Sequence, residues 1–433
     1  MSRQRSIPIV KVNSPAGIKF LKQIESARQR RDDQVSATVE TILRDIQKRG
    51  DKALFEYCKK FDGVTISGRN IRISPEEIKT RAALVSPKLK RAIREAAKRI
   101  KAYHRNQGCK TFTHKTAEGT LRQEIRALQR VAVYIPGGYT AYSSSVLMSV
   151  IPARLAGVRE IAAVTPVRGD LDPAIAYALD YLKVGEVYRI GGAHAVGALA
   201  YGTKSVPAVD KIVGPGNAYV QTAKRMVYGK VDIDSVAGPS EVVVIADETA
   251  DPQWVALDLL AQAEHGSGDE TAICITESDS FAKEVASAVV EEAAISPVKK
   301  TLDKLPPHAI TVFTTASRDE SIELSNRIAP EHLQIITKTA SKDMSKITNA
   351  SAVFLGPFTP VALGDYMIGT NHVLPTNGAA RFASPLGVES FQKRISVAQI
   401  SSSGLNNVAS LVSVFAREEN FVHHAMSVER RAR

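Results

Sequence analysis

The 433-residue chain has 57 Lys and Arg against 45 Asp and Glu, a net charge of +12, and 44% of its residues are hydrophobic. This length exceeds what one hydrophobic core usually holds, so two or more domains are expected. No apolar run approaches the roughly 20 residues that cross a bilayer, and no signal peptide is expected. The three cysteines lie far apart without metal-type spacing, which suits a reducing cytoplasm.

Much of the positive charge lies in the first part of the chain. The stretch "KLKRAIREAAKRIKAYHR" at 88–105 places its apolar residues on one helical stripe, so its charges predict a solvated helix face. Because no nucleic-acid-binding motif accompanies the charge, neither nucleic acid nor membrane is expected as a partner. A basic surface can still attract an anionic cofactor.

The pattern along the chain changes at about residue 131. Before about residue 110 it is mostly helical, as in 36–50, where apolar residues recur at helical spacing. After residue 131, Val- and Ile-rich runs alternate with amphipathic helices, which predicts an α/β fold with enough strands for two parallel sheets. The predicted strands lie at 131–136, 160–166, 211–215, 241–247, 272–277, 309–315, 333–337 and 352–356. The predicted helices lie at 173–183, 217–227, 252–265 and 280–293.

The last 50 or so residues differ from this alternating body. Residues 378–394 are loop-rich, and 404–433 read as one long helix. The tail is therefore predicted to be an arm or a small separate domain.

Glycine-rich turns follow several of the predicted strands, at 134–138, 190–202, 213–220 and 237–241. The segment "GPGNAY" has the first two glycines of GxGxxG but Tyr219 in place of the third, so alone it is a weak signal. In open α/β sheets, ligands bind at the carboxyl ends of strands, where glycine lets the backbone approach. Together the four turns favour a nucleotide or phosphate site.

Candidate metal ligands are spread over three segments. In "DPQWVALDLLAQAEHG", Asp251 is a predicted cap, Gly266 a predicted stop, and Gln262 and His265 share the last turn of the helix. Asp365 and His372 lie in a later loop, and the tail adds Glu419, His423 and His424. This mixture of donors suits Zn²⁺, although the spacing matches no self-contained zinc motif and ordinary surface or core histidines remain the alternative.

The segment "APEHLQI" at 329–335 sets a carboxylate beside an imidazole, Glu331 and His332. They are either surface polar residues or two proton-handling groups. Adjacent residues of an extended segment point to opposite faces, so the pair need not act on one atom.

The motifs "YIPGG", "GPGN", "AGPSE", "LLAQAEH", "APEHLQI", "GDYMIGTNHVLPT" and "FQKR" occur in this order. Their collinear run over nearly the whole chain closely resembles the histidinol dehydrogenase family. The resemblance implies an enzyme that oxidises L-histidinol through L-histidinaldehyde to L-histidine, the last step of histidine synthesis, with NAD and one Zn²⁺ per subunit. It also implies two incomplete Rossmann-like parallel-sheet domains with small N- and C-terminal segments, in an intertwined homodimer whose subunits share active sites.

By the same resemblance the chain divides into an N-terminal arm (1–24), a domain with the metal and catalytic residues (25–130 and 241–385), an NAD-binding domain (131–240), and a helical tail (386–433) that contributes to the partner's active site. The implied zinc ligands are Gln262, His265, Asp365 and, from the other subunit, His424. The implied substrate contacts are Ser240, Gln262, His265, His332, Asp365, His372, Glu419 and His424. The implied NAD contacts are Tyr134, His194 and Asn217.

The expected catalytic groups are His332, as the base for the substrate hydroxyl, and Glu331, as the group that activates water for the aldehyde step. His194 departs from the family, which usually has glutamine there, so the affinity for NAD is expected to change. The departure leaves open a paralogue acting on another polyol such as a sulfonated propanediol. Glu419 and His424 favour histidinol, because a carboxylate that accepts a hydrogen bond from imidazole would repel a sulfonate.

Overall fold

The computed structural model describes residues 6–29, 33–137, 142–265 and 270–432. In these residues the sheets number three: two six-stranded sheets that are parallel apart from one edge pair, and one three-stranded antiparallel sheet. The predicted α/β fold with two parallel sheets is thereby confirmed.

The strands of the described residues are β1 (Ile9–Lys11), β2 (Arg72–Ile73), β3 (Phe112–Lys115), β4 (Gly119–Ala127), β5 (Arg130–Tyr134), β6 (Glu160–Val164), β7 (Glu186–Tyr188), β8 (Lys211–Val213), β9 (Asp232–Ile233), β10 (Glu241–Ala246), β11 (Thr271–Thr276), β12 (Ile310–Thr314), β13 (His332–Ile336), β14 (Ala352–Leu355) and β15 (Gln392–Ile400). The α-helices are α1 (Pro15–Gln29), α2 (Asp33–Arg49), α3 (Asp51–Tyr57), α4 (Pro75–Ala83), α5 (Pro87–His104), α6 (Ser143–Ala156), α7 (Pro173–Tyr181), α8 (Gly192–Tyr201), α9 (Ala218–Val227), α10 (Pro252–Ala263), α11 (Asp279–Ile295), α12 (Lys299–Leu302), α13 (Arg318–Ile328), α14 (Ala340–Met344), α15 (Val361–Tyr366), α16 (Ser402–Glu418) and α17 (Val422–Glu429). A π-helical segment, Cys58–Asp62, continues α3, and short 3-10 turns lie at Ala379–Arg381 and Glu389–Phe391.

The first sheet has the order β1-β12-β11-β10-β13-β14, with every pair parallel. Its central strand β10 is buried on both faces, which explains its continuous apolar run. One face packs against α10 and α11, and the other against α1 and α13. Residues 6–24, expected as an arm, lie in this layer, since β1 pairs with β12 and Phe20 is buried in the core.

The second sheet has the order β2-β7-β6-β5-β8-β9. Helices α2, α3, α8 and α9 cover one face, and α5, α6 and α7 cover the other. The helices of 33–104 therefore pack on this sheet, whereas the family resemblance implied that 25–130 and 241–385 form one domain. The reason is that their apolar stripes, for example Val39 and Ile46 of α2, match the buried faces of α8 and α9.

The antiparallel sheet joins β15 to β4 over nine residue pairs, from Gln392↔Ala127 to Ile400↔Gly119. After it, the tail forms two helices, α16 and α17, rather than the one long helix predicted. The break is at Asn420, whose φ of 64° is left-handed. Glu429 of α17 accepts hydrogen bonds from Arg417 (2.9 Å) and from Ser413, which fastens α17 back on α16. No helix in the described ranges is long and apolar enough to cross a membrane.

Candidate active site

A cavity of about 2210 Å³ lies between the two parallel sheets. Its wall includes Tyr134, His194 and Asn217 from the second sheet and its helices. From the first sheet and the loops around it, the wall includes Ser240, His265, Glu331, His332, Asp365 and His372. The cavity thus brings together nine of the site residues that were predicted from the sequence, although they come from distant segments of the chain.

Glu331 and His332 are both buried, at 6% and 5% exposure, where the chain enters β13. The left-handed Ala329 ends α13, and Pro330 turns the chain toward the sheet. The pair lies at the amino end of β13. Ligands of open α/β sheets usually bind at the opposite, carboxyl ends of the strands. The parallel register Val242↔His332 sets it beside the start of β10.

The backbone N–H and carbonyl groups of Glu241 orient the side chains of both Glu331 and His332. The N–H of Glu241 donates to Glu331 Oε2 (3.0 Å), and His332 Nδ1 donates to the carbonyl oxygen of Glu241 (3.2 Å). Since Nδ1 faces an acceptor, a neutral His332 carries its proton there and leaves Nε2 as the proton acceptor. Both groups can therefore act in the same space, with His332 Nδ1 only 3.7 Å from Glu331 Oε2.

Burial is the main influence on the pKa values of Glu331 and His332. It raises the pKa of Glu331 well above its usual value, and the Glu241 and Asp365 carboxylates add to this effect against hydrogen bonds from the Glu241 amide and Ser240. Burial also lowers the pKa of His332, although the Asp365 carboxylate opposes that shift. His332 is accordingly neutral at pH 7 and able to take a proton, and Glu331 holds its proton at a higher pH than an exposed glutamate does.

The free ring nitrogen of His332 lies near a metal-type donor, Asp365. Its Nε2 is buried, makes no hydrogen bond with any residue that the structure describes, and lies 3.8 Å from Asp365 Oδ1. The backbone oxygen of Asp365 accepts a hydrogen bond from His372 Nδ1 (2.9 Å), which fixes that ring. Gln262 Nε2 lies 3.0 Å from His265 Nδ1, so the two residues predicted to share a turn do meet. The predicted cap Asp251 is present, accepting from the Gln253 N–H (2.8 Å), and Gly266 lies outside the described residues.

The tail residues are not part of this group. Glu419, His423 and His424 are exposed at the α16–α17 junction and do not line the cavity. His424 rests against the ring of Phe421, 5.0 Å between centroids. Of the four expected metal ligands, His265 and Asp365 line the cavity, and Gln262 contacts His265.

The glycine turns of the second sheet do lie at carboxyl ends. Tyr134 ends β5 and Gly214 follows the adjacent β8, at the point where the strand order reverses. Gly214 has a φ of 116°, and a Cβ there would lie 2.2 Å from the Tyr134 carbonyl oxygen, so no other residue fits. The amino ends of α8 and α9 lie beside these turns, with Asn217 capping α9 through the Val220 N–H (3.2 Å). Such ends suit a phosphate group.

The ion pair of Lys224 and Asp234, which was not predicted from the sequence, holds the Gly214 turn in place. Lys224 of α9 is fully buried, forms an ion pair with Asp234, and donates to the Gly214 carbonyl oxygen (2.9 Å). Asp234 Oδ2 in turn accepts from the Gly214 N–H (2.7 Å). A lysine on the apolar face of α9 is the sequence feature that would have indicated a buried ion pair.

His194 lies in the cavity wall and has one ring nitrogen held by Asp62. It is 1% exposed, and its Nε2 lies 3.0 Å from Asp62 Oδ2. Its ring forms part of the cavity wall while this nitrogen is engaged by Asp62. Tyr134 is also engaged, since its hydroxyl accepts from the Gly192 N–H (3.0 Å) and burial raises its pKa to about 12.

Comparison with known proteins shows the family of this chain. The family model described as histidinol dehydrogenase matches residues 25–432. The chain is 45% identical over 402 residues to histidinol dehydrogenase of Bacillus thuringiensis subsp. konkukian, covering 92% of each chain. The chain belongs to the histidinol dehydrogenase family. It is also 41% identical over 435 residues to the enzyme of Cupriavidus pinatubonensis, covering 97% of this chain and 96% of the relative.

A crystal structure of histidinol dehydrogenase from Elizabethkingia anophelis is similar over 99% of this chain and 98% of its own, with a TM-score of 0.90 and 37% identity. The family and the enzyme class expected from the motifs are thereby confirmed. As a histidinol dehydrogenase family member, the chain is an oxidoreductase.

Proposed function

We propose that this protein oxidises L-histidinol through L-histidinaldehyde to L-histidine, a four-electron reaction that uses NAD and zinc. The observation that carries the proposal is the pair Glu331 and His332, held by the backbone of Glu241 beside Asp365 in the large cavity. Two proton-handling groups suit two successive oxidations. The sulfonated-polyol alternative is not favoured, because the curated relatives at 41–45% identity are histidinol dehydrogenases.

The donor set fits zinc, since it combines imidazole, carboxylate and amide oxygen. Beside Asp365, the buried His332 Nε2 makes no hydrogen bond with any residue that the structure describes. Gln262, His265, Asp365 and the partner subunit's His424 would hold the ion. Bound zinc would orient the substrate by its imidazole and amine.

The residues of this chain then divide the proton transfers. His332 Nε2 takes the proton of the substrate hydroxyl as hydride leaves for NAD. Glu331, in the ionised form that it adopts above its raised pKa, takes a proton from the water that adds to the aldehyde, which makes the second hydride transfer possible. Ser240 and His372 face the same space and would contact substrate, and the partner's Glu419 would accept a hydrogen bond from its imidazole.

The glycine-lined half of the cavity is the proposed NAD site. The amino ends of α8 and α9 would face the pyrophosphate, with Asn217 and Tyr134 beside it. His194 would contact NAD from the wall while Asp62 orients its ring.

The proposed assembly is a homodimer in which the tail of each subunit completes the partner's site. Leu411, Val414 and Phe415 of α16 are 69–71% exposed in the isolated chain, which is a large apolar surface for one helix. Beside it, the exposed Glu419 and His424 are available to a second subunit.

The experiment that tests the substrate compares NAD⁺ reduction with histidinol and with dihydroxypropanesulfonate. We expect kcat/KM to favour histidinol by about 10⁴-fold, because a site built to hydrogen-bond one group rejects a ligand that leaves it unpaired. Chelation should remove the activity and Zn²⁺ should restore it. A preference for the sulfonate would contradict the proposed substrate and leave the dehydrogenase class intact.

A second prediction concerns the Gly214 turn. Lys224→Met should destabilise the protein by about 3–5 kcal/mol, because it leaves the buried Asp234 charge unpaired. It should also raise the KM for NAD more than the KM for histidinol, since Lys224 and Asp234 both hold the Gly214 turn of the proposed NAD site. Thermal unfolding and steady-state kinetics check both effects, with the exposed Lys230→Met as the matched control. Equal changes in the two KM values would contradict a role for Lys224 in the NAD half.

A further inference from the structure

Cys58, Asp62 and His194 form a cluster on the second-sheet side of the cavity. One ligand-type atom of each residue lies within 4.8 Å of those of the other two. Cys58 and Asp62 begin and end the π-helical segment after α3, and His194 lies in the first turn of α8. None of the three belongs to the zinc set proposed above, and this inference does not depend on that set.

The surroundings of the cluster are closed on one side and accessible on the other. Cys58 and His194 are almost fully buried, and the rings of Tyr57 and Phe61 lie near His194, 6.3 and 6.1 Å between centroids. Asp62 and His194 line the large cavity, and the Asp62 side chain is 12% exposed. An ion could therefore reach the cluster from the cavity, and water could fill a remaining coordination position.

Two simpler roles, a structural hydrogen bond and a reactive thiolate, do not explain why all three side chains lie together. A hydrogen bond between His194 and Asp62 explains two of the residues but gives the adjacent sulfur no role. A reactive thiolate does not suit the site, because burial and the Asp62 carboxylate raise the pKa of the Cys58 thiol to about 12. One thiol, one imidazole and one carboxylate within reach of a single point match the donors of a zinc-class ion.

We propose that Cys58, Asp62 and His194 bind a second divalent ion of the zinc class. Binding forms a sulfur–metal bond and releases the Cys58 proton to solvent, with no change in oxidation state. The ion would join the π-helical segment to the start of α8, beside the turn of Gly191 and Gly192. It would be a structural site that stabilises this wall of the cofactor half.

The test uses Co²⁺, because a thiolate ligand gives cobalt a charge-transfer absorption in the near ultraviolet that oxygen and nitrogen ligands do not. The set Gln262, His265, Asp365 and His424 has no sulfur, so the band cannot come from that set. We expect the full-length protein titrated with Co²⁺ to show the band, Cys58→Ala to lose it, and the control Cys274→Ala to keep it. Cys274 is equally buried but lies in β11 of the other sheet.

Metal content gives a second measurement. Protein prepared with excess zinc should hold one zinc ion per subunit more than His194→Gln prepared in the same way. This variant restores the residue usual in the family, so we expect it to fold. The absence of the cobalt band, its persistence in Cys58→Ala, or a single zinc that His265→Ala removes would overturn the second site. The last of these results would leave the proposed dehydrogenase site intact.

Discussion

His332→Asn is expected to lower kcat for histidinol oxidation by about 10²- to 10⁴-fold, the usual contribution of a general base. The asparagine amide can still donate to the Glu241 carbonyl oxygen that His332 Nδ1 contacts, so the local structure should persist. Asparagine has no basic nitrogen to accept a proton at the position of His332 Nε2, which faces Asp365. Steady-state kinetics with histidinol, together with thermal unfolding, checks the loss of rate at unchanged stability.

Glu331→Gln is the matched variant at the neighbouring position. Its amide oxygen can still accept from the Glu241 N–H, while the proton-accepting carboxylate is lost. The first oxidation should therefore continue at a near-normal rate, and oxidation of added histidinaldehyde should slow. A normal rate with the aldehyde, or equal loss in both half-reactions, would contradict the assignment of separate tasks to Glu331 and His332.

Mixing two inactive subunits is the second experiment with a large expected effect. His265→Ala removes a metal-type donor of the cavity, and His424→Ala removes one from the tail, so each homodimer should be nearly inactive. In a mixed dimer, the subunit with an intact cavity receives an intact tail from its partner. Random pairing of equal amounts should then restore about a quarter of the active sites.

The mixture must be made by co-expression or by dissociation and reassociation, followed by NAD⁺ reduction with histidinol. Two His265→Ala preparations mixed in the same way are the control. No recovery in the mixture, with mixed dimers demonstrated by mass, would contradict sites shared between subunits.

The parallel strands were predictable because burial on both faces requires an unbroken apolar sequence, as in "EVVVIA" of β10. Strands β4 and β15 were missed because their pattern is largely polar, and pairing within the antiparallel sheet makes them strands. The break at Asn420 was missed because the helical period continues across it, and α17 is held by distant contacts of Glu429.

The site was predictable in its parts but not in its assembly. Glycine turns at the ends of β5 and β8 follow from local backbone requirements. The amino-end position of Glu331 and His332 depends on the register between β10 and β13, which no local pattern encodes. For the same reason, no local pattern predicts the hydrogen bond between His194 and Asp62, which are 132 positions apart in the chain.

The central claim is a four-electron oxidation of one substrate, and the stoichiometry of NADH measures it most directly. With limiting histidinol and excess NAD⁺, we expect two NADH for each histidinol consumed and L-histidine as the product. One NADH per histidinol with accumulation of histidinaldehyde, or no reduction of NAD⁺ by the zinc-loaded protein, would contradict the account.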